Sequence, residues 1–158
     1  MMTHLKTILL AEDDANDIEL TLAALAEHHL ANEVVVARDG TEALDYLLMQ
    51  GKYAGHRPGN PAFVILDLKM PKVDGLQVLR AIKTDEHLKS VPVVMLTSSR
   101  EERDLVQSYE LGVNAYVVKP VDFQQFVNAV KQIGAVWGVL NELPVRNGQP
   151  RRAALAGG

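Results

Sequence analysis

The side chains best suited to chemistry in this sequence directly follow short apolar runs. Carboxylates follow the first and third runs, a hydroxyl follows the fourth, and an amine follows the fifth. In chain order, these residues are Glu12, Asp13, Asp14, Asp67, Thr97 and Lys119. Crowded carboxylates repel one another, so such a group either holds protons more tightly or binds a cation. The set therefore indicates a metal site with an amine and a hydroxyl beside it.

These functional groups define the chemistry that the site could perform. Oxygen ligands favour hard divalent ions, and Mg²⁺ suits a shallow site that offers one or two carboxylates plus phosphate oxygens. A lysine and a hydroxyl opposite the carboxylates suit a phosphoryl group. Asp67 is the expected nucleophile, because a carboxylate can attack phosphorus and form an aspartyl phosphate while the metal and Lys119 neutralise the developing charge. No general base is required.

Strands and helices that would position these groups alternate along the chain. Continuous apolar runs are typical of strands covered on both faces, and they predict strands at residues 7–11, 33–37, 62–67, 92–97 and 115–119. Helical spacing predicts helices at about 15–29, 40–50, 74–84, 101–111 and 122–142. Asp14 and Asp17 stand at the start of the first helix like an N-cap and its partner. Strict alternation predicts a doubly wound α/β fold, with a five-stranded parallel sheet and five helices in three layers.

The predicted sheet would gather the reactive groups at one edge. Ligands of open α/β sheets bind at the carboxyl ends of the strands, near the point where the strand order reverses. If the first strand neighbours the third, the groups meet in one crevice. Each signal alone also has a structural explanation, since acidic residues favour helix N-termini and a strand-final Asp is often a turn or cap residue. Their coincidence at one edge favours a functional site.

Length and charge disfavour several functions. The 158 residues include 16 Lys plus Arg and 20 Asp plus Glu, a net charge of −4, so nucleic-acid binding through phosphate neutralisation is disfavoured. The absence of cysteine excludes disulfides, thiolate metal sites and Cys nucleophiles. No window has the ~18 apolar residues that a membrane helix needs. We expect a cytoplasmic protein that binds neither nucleic acid nor membranes.

The motifs from about residue 6 to residue 133 resemble those of a response regulator receiver domain. The matching positions are Glu12-Asp13, the motif Asp67-Leu68-Lys69-Met70-Pro71 with Asp74-Gly75 after it, Thr97, Tyr116 and Lys119-Pro120. The resemblance implies a flavodoxin-like sheet with strand order 2-1-3-4-5. It also implies that the bond between Lys119 and Pro120 is cis, which is physically reasonable because the second residue is proline.

The resemblance also implies roles for the matched residues. Asp67 is the implied phosphoacceptor, assisted by Lys119. The implied Mg²⁺ ligands are Asp13, Asp67 and the backbone carbonyl of Lys69, with Glu12 acting largely through water. The protein would take a phosphoryl group from the phosphohistidine of a sensor histidine kinase. It would assist its own phosphorylation and slow dephosphorylation without being an enzyme that acts on other substrates.

A switch between two conformations is the implied output. The phosphoryl oxygens attract the hydroxyl of Thr97, and Tyr116 turns into the space that is vacated. The surface of the fourth helix, fifth strand and fifth helix is remodelled as a result. In the family pattern, Lys69 and Ser99 flank the acceptor and tune the rate of dephosphorylation.

The end of the chain bears on partners. Residues 1–143 are expected to form the receiver with an extended last helix, and residues 144–158 a flexible tail. The 38 residues after Lys119-Pro120 are expected to be too few for a DNA-binding output module as well as the last helix. Helical spacing predicts an exposed apolar stripe, which usually marks an interface, at Ile133, Val136, Trp137 and Leu140. The chain resembles receivers that partner bacterial phytochrome-type histidine kinases and often dimerise through the fourth helix, fifth strand and fifth helix. We therefore expect a homodimer.

Three other classes of protein share some of these sequence features. A flavin-binding electron carrier shares this fold, but the acidic residues after the first strand would repel the phosphate of FMN. A phosphatase of the haloacid dehalogenase type needs a second Asp two residues after the nucleophile, where this chain has Lys69. A degenerate receiver that acts only as an interaction module would not need the complete set of motif residues.

Overall fold

The computed structural model describes residues 7–27, 33–55 and 59–133. Within these ranges the strands are β1 (Ile8–Ala11), β2 (Val34–Ala37), β3 (Phe63–Asp67), β4 (Val93–Thr97) and β5 (Ala115–Val118). The helices are α1 (Ala15–Glu27), α2 (Gly40–Leu48), α3 (Gly75–Thr84), α4 (Arg100–Ser108) and α5 (Phe123–Gln132), with a short 3₁₀ helix at Gly51–Tyr53. The predicted alternation of strands and helices is confirmed.

All strand pairs are parallel, and the strand order is β2-β1-β3-β4-β5. Ala11 pairs with Leu66 across β1 and β3, and Thr97 pairs with Val118 across β4 and β5. The residues that follow these positions therefore leave the sheet side by side at one edge. The predicted contact between the first and third strands is confirmed.

Alternate strand residues supply two separate apolar layers, one on each face of the sheet. Ile8 and Leu10 pack in a layer completed by α1 and α5, where Phe126 is fully buried. Leu9 and Leu66 pack in the opposite layer with residues of α2 and α3. Burial of each large apolar side chain contributes about 1.5–3 kcal/mol, so these two layers fix the strands and their ends.

Polar side chains cap the helices at their first turns. The first N–H groups of a helix lack intrahelical acceptors, and a capping oxygen satisfies one of them. The capping residues are Asp39, Asp74, Ser99 and Asp122, each accepting a hydrogen bond from the backbone N–H three residues later. Asp14 Oδ1 accepts from the N–H of Asp17 at 2.9 Å, as predicted for α1.

Substitution of the residue that caps α5 tests the contribution of capping to stability. Replacing Asp122 with alanine removes the oxygen that accepts from Gln125 N at 2.8 Å. We expect the free energy of unfolding, measured in urea, to fall by about 1 kcal/mol. The control Asp104→Ala removes an exposed carboxylate within α4 and should change it by less than about 0.5 kcal/mol. Equal effects of the two substitutions would contradict the capping role.

The last helix is where sequence and structure differ most. Ile133 is 4% exposed and lies in the same apolar layer as Phe126 and Val130. The prediction that Ile133 belongs to an exposed stripe is therefore wrong, because its side chain faces the core. Val136, Trp137 and Leu140, the predicted helix beyond α5 and the predicted tail at 144–158 lie outside the described residues.

Smaller differences have local causes. Helices α2 and α4 end before the predicted residues 50 and 111, and the left-handed residues Met49 (φ 56°) and Glu110 (φ 52°) follow them. The 3₁₀ helix lies in the connection between α2 and β3, where the ring of Tyr53 packs edge-on against Tyr46 at 5.1 Å. Among the described helices, none combines the length and apolar content that crossing a membrane requires.

Candidate functional site

Lys119, directly after β5, is the centre of an ionic cluster at the carboxyl edge of the sheet. Its Nζ lies 3.0 Å from Oε1 of Glu12, 3.0 Å from Oδ2 of Asp17 and 3.0 Å from Oδ1 of Asp67. These partners come from the end of β1, the first turn of α1 and the end of β3. The predicted convergence of the strand ends thus places one ammonium among three carboxylates.

Three carboxylates at this edge are arranged to hold a cation. Oxygens of Glu12, Asp13 and Asp67 all lie within 4.8 Å of one another. Glu12 and Asp67 are buried, whereas Asp13 is exposed. An all-oxygen set with one open side fits a hard divalent ion that retains some of its water. The single positive charge of Lys119 leaves negative charge in excess, so the fit is electrostatic as well as chemical.

Burial shifts the ionisation of these groups. Burial raises the pKa of Glu12 to about 7, although a hydrogen bond from Asp14 N and the neighbouring Lys119 oppose the shift. Burial also raises the pKa of Asp67, while Lys119 acts to lower it. Burial alone would lower the pKa of Lys119, but its hydrogen bonds to Asp67 and Asp17 outweigh burial and raise it. Without a metal, burial therefore disfavours the ionised form of Glu12 and Asp67.

The turn after Asp67 packs tightly around the candidate nucleophile. A Cβ placed on Gly75 would lie 2.1 Å from the carbonyl oxygen of Asp67, so only glycine fits there. The N–H of Gly75 donates to the carbonyl of Leu68 at 2.8 Å. Asp74 caps α3 and forms a capping box with Gln77. The start of α3 is thereby fixed against the backbone of the residue that would react.

Thr97 is buried at the end of β4 with an unsatisfied hydroxyl. Its side chain is 0% exposed, and Oγ1 has no hydrogen-bond partner among the described residues. Leaving a buried hydroxyl unpaired costs about 1–3 kcal/mol. The group is thus ready to bond an oxygen that arrives at the site.

This unsatisfied hydroxyl predicts an unusual gain in stability. Thr97→Val keeps the shape of the side chain and removes the hydroxyl, so the free energy of unfolding should rise by about 1 kcal/mol. Thr21→Val is the matched control, since Thr21 is equally buried but its Oγ1 donates to Asp17 O at 2.9 Å. Chemical unfolding of both variants should show opposite signs. A loss of stability in Thr97→Val would contradict the unsatisfied state.

Tyr116 lies apart from the carboxylates, half-buried on β5. The guanidinium carbon of Arg103 is 6.0 Å from the centre of its ring, and burial raises the pKa of its phenol. A groove of about 460 Å³ opens beside the ring, with Gln107 and Gln132 among its lining residues. The ring of Tyr116 therefore has open space beside it on the surface next to β5.

Two acidic residues contact lysines at or beside the site, and local sequence patterns do not predict these contacts. Sequence spacing predicts only a capping role for Asp17, but its carboxylate is the third one in contact with Lys119. Glu102 pairs with Lys69, its Oε2 lying 2.7 Å from Lys69 Nζ. Both belong to first turns of helices that begin at the carboxyl edge, and that position is the signal that could have identified them.

Comparison with known proteins decides the family. The model for the response regulator receiver domain matches residues 8–131. This chain belongs to that family. The flavodoxin-like strand order and the cis bond between Lys119 and Pro120 agree with the predicted receiver fold. Membership of the receiver family excludes the flavin-binding carrier and the haloacid dehalogenase phosphatase as alternatives.

Proteins similar to this receiver include response regulators of known structure, some of them named for phytochromes. The solved bacteriophytochrome response regulator AtBRR is 63% identical, with a TM-score of 0.81 over 89% of this chain and 100% of that one. Response regulator Rcp1 of Synechocystis sp. is 39% identical over 84% of this chain and 88% of its own. A Mn²⁺-bound form of Rcp1 matches with a TM-score of 0.68 over 84% and 94% of the two chains.

A third relative represents the phosphorylated state. The phosphorylated cyanobacterial phytochrome response regulator RcpA is 44% identical, with a TM-score of 0.69 over 85% of this chain and 94% of its own. The predicted resemblance to receivers of phytochrome systems is confirmed by these relatives. The receiver therefore belongs to two-component signalling.

Proposed function

We propose that this receiver accepts a phosphoryl group on Asp67 from the phosphohistidine of a phytochrome-type sensor histidine kinase. The observation that carries the proposal is the contact of Lys119 Nζ with Asp67 Oδ1 at 3.0 Å, beside Glu12 and Asp13. A carboxylate, a fixed ammonium and a cation site together meet the needs of phosphoryl transfer. The phosphorylated relative RcpA supports the same chemistry.

The transfer exchanges one bond for another. An Asp67 oxygen attacks phosphorus, and the new O–P bond forms as the P–N bond to histidine breaks, its electron pair remaining on the imidazole nitrogen. Lys119 stabilises the negative charge on the transferred group from a fixed position, without reorganisation. The hydroxyl of Thr97 supplies a hydrogen bond to a phosphoryl oxygen, satisfying a group that is unpaired among the described residues. Because the attacking carboxylate of Asp67 is ionised, the reaction needs no general base.

Mg²⁺ is the proposed cofactor. Its ligands would come from Asp13, Asp67 and the backbone carbonyl of Lys69, with Glu12 acting largely through water. When bound, the ion supplies charge neutralisation to the phosphoryl oxygens. The Mn²⁺-bound form of Rcp1 supports a divalent ion in this family, and the acidic oxygen set of this chain fits one. In this proposal the receiver assists its own phosphorylation and slow dephosphorylation but is not an enzyme for other substrates.

The proposed output is a change of the face formed by α4, β5 and α5. Once Thr97 bonds the phosphoryl group, Tyr116 can turn inward and alter this surface. We propose that the face also forms a homodimer. We propose that the protein acts in the cytoplasm, where the kinase would be phosphorylated from ATP. Leu105 on α4 is 54% exposed and Phe123 on α5 is 39% exposed, which supports an interface. Light scattering of Leu105→Ser should show a smaller mass than the wild type, and an unchanged mass would count against this face.

Intact mass measurement tests the acceptor. Incubation with Mg²⁺ and acetyl phosphate should add one phosphoryl group to the wild type and to Asp104→Asn, which removes an exposed carboxylate on α4. Asp67→Asn should remain unmodified because it lacks the nucleophilic oxygen. Absence of an adduct on the wild type would contradict the proposal and favour an interaction module without phosphoryl chemistry.

A further inference from the structure

An ion pair connects the loop after the acceptor to the first turn of α4. Lys69 follows Asp67 by two residues, and its Nζ lies 2.7 Å from Oε2 of Glu102. The pair joins segments that leave the neighbouring strands β3 and β4 at the carboxyl edge. It therefore lies at the entrance through which a phosphoryl donor would approach Asp67.

The two members of this pair are held very differently. Glu102 Oε1 accepts from Ser98 N at 2.8 Å, and the Glu102 N–H donates to Ser99 Oγ at 3.1 Å. The side chain of Glu102 is 16% exposed, whereas that of Lys69 is 74% exposed. Glu102 is the fixed member, and Lys69 is the member that can move without breaking other described contacts.

The charges of the site reach both members of the pair. Glu102 chiefly raises the pKa of Lys69, and Asp67 contributes in the same direction. Lys69 chiefly lowers the pKa of Glu102, and Lys119 contributes as well. A phosphoryl group carries about −1.5 to −2 charges at neutral pH, more than the carboxylate of Glu102. Its arrival on Asp67 would compete for the ammonium of Lys69.

We propose that Glu102 is a positioning residue for phosphoryl transfer, which holds Lys69 at the entrance and yields it to the phosphoryl group on Asp67. This inference rests on the proposed function. Release of Lys69 removes one constraint from the first turn of α4, where Arg103 lies over the ring of Tyr116. The ion pair is thereby a physical link between the acceptor and the switch face.

A double-mutant cycle with beryllofluoride, a phosphoryl mimic, tests the link. Binding in the presence of Mg²⁺ is measured for the wild type, Glu102→Gln, Lys69→Ala and the double variant. Glutamine keeps an oxygen that can accept from Ser98 N, so Glu102→Gln removes the charge but retains this hydrogen bond. We expect it to tighten binding about threefold to fivefold, the scale of an exposed ion pair. In the Lys69→Ala background the same substitution should have no effect.

Equal tightening in both backgrounds, or weaker binding by Glu102→Gln in the wild-type background, would overturn the inference. Glu101→Gln, in the same helical turn, controls for the loss of one negative charge and should show no dependence on Lys69. The side-chain carboxyl NMR signal of Glu102 gives a second readout, since losing the ammonium of Lys69 should shift it on beryllofluoride addition in the wild type and much less in Lys69→Ala. Failure of the wild type to bind beryllofluoride would instead overturn the proposed function, and this inference with it.

Discussion

Lys119→Gln should slow phosphoryl uptake from acetyl phosphate by about a hundredfold or more, because it removes the fixed positive charge beside Asp67. Lys119 is the only described cation in contact with Asp67, Glu12 and Asp17 together. Glutamine retains hydrogen-bonding ability but cannot neutralise the charge that gathers on the transferred group. The rate is measured by intact mass at intervals after mixing with acetyl phosphate and Mg²⁺.

A second measurement separates loss of charge from loss of structure. Removing the ammonium frees Glu12 and Asp67 from a competing cation, so titration calorimetry should show tighter Mg²⁺ binding in Lys119→Gln. Lys89→Gln is the control, since Lys89 forms an exposed ion pair with Glu86 at 3.2 Å and should change neither quantity. Wild-type phosphorylation rates in Lys119→Gln would contradict the assigned role.

The metal-free protein should lose stability as the pH rises from about 4.5 to about 7. The pKa of Glu12 is raised to about 7, so the folded state binds more protons than the unfolded chain within this window. Stability falls with pH wherever the folded state binds more protons, and the raised pKa of Asp67 acts in the same direction. The loss from Glu12 alone is on the order of 2–3 kcal/mol. The raised pKa of Lys119 contributes stability that is lost only at alkaline pH, outside this window.

Glu12→Gln tests this assignment. The variant should be more stable than the wild type at pH 8 and should show a smaller loss between pH 5 and pH 8, measured by urea unfolding with a chelator present. Glu19→Gln removes an exposed carboxylate of α1 and should follow the wild-type profile. Adding Mg²⁺ at pH 8 should recover stability in the wild type, because a cation that binds the ionised carboxylates in the folded state stabilises that state. An identical pH profile in Glu12→Gln and the wild type would show that another group is responsible.

The fold was predictable because its main signals are local. Apolar runs such as Ala62–Asp67 mark buried strands, and alternation with helical segments leaves few topologies for a parallel sheet. The errors fall where local signals compete with packing. Ile133 continues the apolar spacing of the last helix, yet spacing alone does not show which of its apolar residues face the sheet.

The central residues of the site could be predicted from the sequence, but the residues that contact them could not. Asp67 and Thr97 each end a strand and Lys119 directly follows one, so the parallel sheet brings them together once strand order is known. Asp17 and Glu102 lie on helices, and their contacts depend on how each helix packs against the sheet. Such contacts join residues far apart in sequence, and no local pattern encodes them.

By itself, the sequence determined the elements, their alternation and the chemical groups at the strand ends, because strand and helix periodicity and residue chemistry are local properties. Only the tertiary structure decided the ionisation and pairing of those groups. The raised pKa of Glu12 requires the burial that the sheet and its flanking helices create. The unpaired hydroxyl of Thr97 and the pairing of Lys69 with Glu102 likewise depend on distances between segments, which only the packed chain defines.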